Sequence, residues 1–153
     1  MREILFRGKN VGNGKWVYGS LIEDCYIVGD VVDWNEEYFN AEWWAMVDPE
    51  TVGQYTGLTD KNGTKIFEGD IVKSDDGTHA VYGIIKFGKI KTHYAIEGGH
   101  QGFYIKWQNY GENKWGDWWR EDVYVFIEEI EVICNIHDNP ELLEEEVKWI
   151  TTK

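Results

Sequence analysis

The chain has 153 residues, with 28 Asp and Glu against 15 Lys and Arg, and a formal charge of −13. Its 42% hydrophobic and 16% aromatic residues are enough for a packed core, which excludes a disordered chain. No apolar run reaches the roughly 18 residues of a membrane span, and Met1-Arg2-Glu3-Ile4-Leu5-Phe6-Arg7 lacks a signal-peptide core, so a cytoplasmic, membrane-free protein is expected.

Strands joined by turns are predicted from the start. Arg2 to Lys9 reads as a strand with Ile4 and Phe6 on one face, and Trp16 to Ile22 as a second. Asn10-Val11-Gly12-Asn13-Gly14 between them supplies residues that tolerate positive φ, so the pair should form a hairpin. Cys25 to Val32 is an expected third strand. Asp33 to Met46 carries Trp34, Tyr38, Phe39, Trp43 and Trp44 among Glu36, Glu37 and Glu42, and reads as an ordered loop or a single helical turn.

Beyond Val47 the punctuation is clearer. Pro49 pushes Asp48 into an extended or turn geometry, and Thr51 to Thr56 then reads as a strand. Asp60-Lys61-Asn62-Gly63 is a turn, and Gly69 bends the chain between Lys65-Ile66-Phe67 and Asp70-Ile71-Val72. Asp75-Asp76-Gly77 should turn the chain into a strand from His79 to Phe87, and Glu97-Gly98-Gly99 precedes another from Gly102 to Trp107. Val123 to Ile127 and Ile130 to Ile136 alternate as strands, with Ile130, Val132, Cys134 and Ile136 on one face.

A helix is predicted over 139–150. Asn139 suits the N-cap, Pro140 the first turn, and Glu141, Glu144 and Glu145 the positive end of the dipole. Leu143, Val147 and Ile150 form a stripe able to dock on the sheets. Together these elements predict a mainly β single domain over 1–153, a small barrel or sandwich. Its parts are an N-terminal β region at 1–60, barrel strands at 61–137 and the closing helix.

Catalytic and cofactor patterns fail on spacing. Gly12-Asn13-Gly14-Lys15 is followed by Trp16 and preceded by Lys9 where a phosphate loop needs Ser or Thr and Gly. His79, His93, His100 and His137 are dispersed, and neither Cys25 nor Cys134 has a second cysteine close by. Asp70, Asp75, Asp76 and Gly77 lack the alternation and closing Glu of a calcium loop and read as turn acids. Acids beside Cys25 suppress its thiolate. The expectation is a protein without catalytic residues, metal or cofactor.

The nine tryptophans are the unusual feature. Trp43-Trp44 and Trp115-Gly116-Asp117-Trp118-Trp119 lie in polar, charged surroundings, where rings either fill a small core or form a protein-binding hot spot. Trp115, Trp118 and Trp119 are the first candidates for partner contact, then Trp43 and Trp44. Nucleic acid is disfavoured by the acidic surplus, although Arg2, Arg7, Lys9 and Lys15 make a local basic cluster. Open sheet edges offer a route to self-association.

The run Thr51-Val52-Gly53-Gln54-Tyr55-Thr56-Gly57-Leu58-Thr59-Asp60-Lys61-Asn62-Gly63, continued by Ile66-Phe67-Glu68-Gly69-Asp70-Ile71-Val72, closely resembles the YopX family of phage and prophage proteins. Arg2 to Lys9 with Trp16-Val17-Tyr18-Gly19 agrees at the start, and Glu131 to Leu143 at the end, with Cys134 standing where the family's closing motif has glycine. The resemblance implies a Src-homology-3-like barrel in a bacterium carrying a phage genome, and it transfers no catalytic residues. Gly57, Gly63 and Gly69 in that run mark turns, which speaks for fold and not for an active site. The expected function is a non-enzymatic accessory protein that binds a host or phage protein. The alternatives are a nucleic-acid-associated protein in phage replication or transcription, and an enzyme.

Overall fold

Asparagine side chains close the first hairpin. Asn10 Oδ1 accepts from Gly12 N–H at 2.7 Å and Asn13 Oδ1 from Lys15 N–H at 2.9 Å, which spares the turn's amides from competing for strand partners. The flanking strands β1 (Phe6–Lys9) and β2 (Trp16–Ile22) pair with Phe6 opposite Gly19 and Lys9 opposite Trp16, the hairpin the sequence predicts. The computed structural model describes residues 1–78, 80–90, 100–107 and 120–142. The chain divides into two compact units, Met1–Gly57 and Leu58–Lys153.

In the first unit the expected third strand is split. It breaks at Gly29 and Asp30 into β3 (Tyr26–Val28) and β4 (Val31–Trp34). Glycine is needed at the break, because a Cβ on residue 29 would lie 2.5 Å from Trp43 Nε1. The ambiguous segment that follows is neither loop nor helix. It forms β5 (Phe39–Ala41), paired with β4, and β6 (Trp44–Met46), paired with β3. Asn35 turns the β4–β5 hairpin by accepting from Glu37 N–H at 2.8 Å and Tyr38 N–H at 3.0 Å.

Asp48 is extended, as the following proline requires, and caps a 3-10 turn at Pro49–Thr51. Thr51 is buried there; its hydroxyl donates to Asp48 O and accepts from Lys9 N–H. β7 (Gly53–Thr59) then pairs with β1, giving the order β6-β3-β2-β1-β7. Ile27, Val28, Ala45, Val47 and Tyr55 are the buried apolar side chains of this unit.

The second unit starts where β7 runs into a hairpin with β8 (Lys65–Phe67). Asp60 organises that turn. Its Oδ1 accepts from Asn62 N–H and Thr64 N–H, each at 2.9 Å, and its Oδ2 accepts from Val132 N–H at 2.8 Å. Gly57, Gly63 and Gly69 have φ of +87°, +83° and +85°, the left-handed backbone that glycine adopts without strain.

β9 (Asp70–Asp75), β10 (Ala80–Ile90), β11 (His100–Trp107), β12 (Arg120–Asp122) and β13 (Ile130–Asn135) form a sheet in the order β12-β11-β10-β9-β13. Ile66, Val72, Ile85, Ile105, Trp107, Val123 and Ile130 make its core.

Three expectations are corrected here. The barrel is the first, because the fold is mainly β but, among the described residues, neither sheet closes on itself. In the first unit the lone Asn10–Val47 bridge ties β1's end to the residue after β6, well short of a ladder. In the second, β12 and β13 are opposite edges.

That separation explains the second correction. The chain must cross from one sheet edge to the other after β12, so Val123–Phe126 is a helical turn, α1, despite its β-branched alternation.

The closing helix is the third. The described residues contain no C-terminal α-helix, only Glu141 and Leu142 in helical conformation, and positions 143–150 lie outside them.

β13 also breaks the predicted alternation. A bulge lets Val132 face Val72 and Cys134 face Ile71, so Asn135 becomes buried while Cys134 is half-buried. Asn135 spends its side chain locally, accepting from His137 and Asp138 N–H and donating to Asp138 Oδ2.

Candidate functional site

The three strands β2, β3 and β6 present two faces of opposite character. Leu21, Ile27 and Ala45 stand in one cross-strand row, and Ile27 is fully buried. One residue along, Ile22, Tyr26 and Met46 form the neighbouring row on the other face, and all three are exposed. Trp44 shares that face at 68% exposure and meets Tyr26 edge-on, with ring centroids 6.0 Å apart.

The β4–β5 hairpin extends the aromatic surface. Trp34 is 72% exposed, and Val32, Tyr38 and Phe39 are each more than half exposed. Among the described residues β4 and β5 pair only with each other. Exposed rings in this number are what a protein-contacting surface requires.

At the hairpin's base, Gly29 N–H donates to Trp43 O at 2.9 Å and Glu42 N–H to Asp30 O at 2.8 Å. Beside this stalk lies a cleft of about 350 Å³, whose lining includes the acidic residues Glu3, Asp30 and Glu42 and the aromatic residues Tyr18 and Trp43. Trp43 is 37% exposed, half committed to packing on Gly29.

Of the residues singled out in the sequence, Trp43 and Trp44 are brought to this surface. Trp115, Trp118 and Trp119 lie outside the described residues, as do His79 and His93. Trp34, Tyr38, Phe39, Tyr26 and Met46 were not among the candidates. The signal for the first three was local: Asn35 is a turn former between two short β-prone runs. Tyr26 and Met46 become neighbours only through pairing of β3 with β6.

The remaining chemistry-bearing residues have structural employment. Arg7 is buried, with its guanidinium 4.8 Å from the Trp16 ring centroid, and Lys9 Nζ is 5.6 Å from the same ring. Two of the four basic residues of the N-terminal cluster therefore stack internally. Asp70 is buried and accepts from Phe67 N–H at 2.7 Å, Asp75 pairs with Lys73 at 2.9 Å, and Asp76 accepts from Thr78 N–H.

Partial burial, then the hydrogen bond and charge of Asp24 and the charge of Glu23, raise the Cys25 thiol. Burial and the charges of Asp70, Glu141 and Asp138 raise Cys134. Among the described residues no three His, Cys, Asp or Glu side chains converge as metal ligands, and no helix is long and apolar enough to cross a membrane.

A family model described as "YopX protein" matches residues 5–144. A search of curated proteins returned no match. Among solved structures, the crystal structure of protein EF1440 from Enterococcus faecalis is similar, with a TM-score of 0.54 and 21% identity, over 94% of this chain and 99% of that one. At that identity the likeness speaks for the fold alone.

Proposed function

Because the chain belongs to the YopX family, we propose that it is a non-enzymatic accessory module of a phage or prophage that binds a host or phage protein in the bacterial cytoplasm. The observation that carries this reading is the exposed aromatic surface of the first unit, centred on Trp34 and Trp44. A solvated ring of that size is a liability unless something covers it, and Trp and Tyr are the residues on which binding energy concentrates. The engagement of Arg7 and Lys9 with Trp16 and the overall charge of −13 favour protein over nucleic acid as the partner.

The test is a tagged pull-down from host lysate, with and without nuclease, using the wild type and the Trp34→Ala/Trp44→Ala variant. The expected result is one stoichiometric protein that survives nuclease and is lost with the variant, whose melting temperature is unchanged. Capture that disappears with nuclease, or that ignores both tryptophans, overturns the reading.

A further inference from the structure

The aromatic surface has a sign. Every charged side chain from Glu23 to Asp48 is a carboxylate, and the exposed rings of β4, β5 and β6 all fall in that stretch. The cleft at the hairpin's base repeats the combination on a smaller scale, with the acidic residues Glu3, Asp30 and Glu42 and the aromatic residues Tyr18 and Trp43 in one lining. No Lys or Arg lines it.

We propose that the occupant of this surface is a basic segment of the partner, with one arginine or lysine side chain seated in the cleft and neighbouring cations over the exposed rings. The inference rests on the protein-binding reading above and specifies the partner's chemistry.

Three alternatives fit less well. A bare metal ion needs several ligands within one coordination sphere, and no such group of carboxylates exists among the described residues. An anionic segment or a phosphate backbone would be repelled by the same acids. A purely apolar partner would strip water from the acids around the cleft and offer them no charge in return. A guanidinium suits the site because it is planar, spreads its charge over five donors, and stacks on aromatic faces while meeting carboxylates at its edge.

The test uses the full chain and a fluorescein-labelled hexa-arginine peptide, with the uncharged citrulline hexamer as its control. Binding is expected for arginine and not for citrulline, weakening as salt rises. Asp30→Asn and Glu42→Gln should each lower affinity about fivefold with an unchanged melting temperature, as expected for loss of one charged contact. Glu128→Gln/Glu129→Gln removes two exposed acids elsewhere and should leave affinity unchanged.

Equal binding of citrulline, or equal weakening by the Glu128/Glu129 variant, overturns the proposal by reducing it to stickiness or diffuse charge. Competition separates this claim from the broader one. If a Trp34- and Trp44-dependent partner is captured and hexa-arginine does not displace it, the basic-segment inference fails while the binding module stands.

Discussion

Asp60 looks in the sequence like an ordinary turn acid, yet it joins residues far apart in the chain. Burial raises its carboxyl, but the amides of Val132, Thr64 and Asn62 and the Thr64 hydroxyl donate to it and together hold it below the usual carboxylate range. Asp60→Ala strands those amides, and chemical denaturation should show a loss of about 3 kcal/mol. Since the folded value is depressed, the stability that Asp60 contributes is complete above the unfolded carboxyl's titration and is lost as pH falls through the folded one. The gap between wild type and Asp60→Asn should therefore narrow below about pH 4, measured by denaturation across acid pH.

Gly19 makes a second residue-scale prediction. A Cβ there would sit 2.1 Å from the Val28 carbonyl oxygen, so Gly19→Ala must force β2 and β3 apart. A cost of about 3 kcal/mol is expected from thermal melts. Both roles are invisible locally, because the partners Val132 and Val28 are supplied by other strands.

At the scale of elements, the β4–β5 hairpin differs from its neighbours. A two-stranded ribbon is marginal in water by itself; among the described residues β4 pairs only with β5, and every residue of β4 is exposed. Backbone amides from Val31 to Ala41 should exchange at least tenfold faster than those of Ile27 and Ala45, a contrast of over about 1.4 kcal/mol in local opening. Protection of the hairpin equal to that of β3 would show that it is covered in the free protein.

The strand readings that succeeded include β1, β2, β7, β8, β9, β10 and β11, most of them with turn residues at their ends: Asn10 to Gly14, Asp60 to Gly63, Gly69, Asp75 to Gly77. Those that failed did so where demands from elsewhere overrode propensity. Val123–Phe126 has a strand's composition, but it lies on the crossing between opposite sheet edges, where it forms a turn of helix with Val123 buried in the core.

For the whole molecule, the acidic surplus is the dominant long-range property. A chain of charge −13 with Arg7 and Lys9 held on Trp16 should not bind duplex DNA at 0.15 M salt, as gel shift or anisotropy would report. Sequence-independent binding under those conditions would point to the nucleic-acid alternative. Family membership over residues 5–144 and the fold shared with protein EF1440 describe an architecture, and function is a matter of the surface carried on it.

The family, the mainly β character and most turns are legible in the chain alone, because Gly, Asn and Asp act through backbone geometry within a few residues. So is the acidic, aromatic composition of the stretch from Glu23 to Asp48. Which rings face water depends on the fold. The pairing of β3 with β6 puts Tyr26 and Met46 side by side, the lone β4–β5 hairpin leaves Trp34 uncovered, and Trp107 goes into the second unit's core. Tryptophan has the same local preferences in either place. Its exposure is set by neighbours brought together from distant positions, and that pairing is a property of the folded chain.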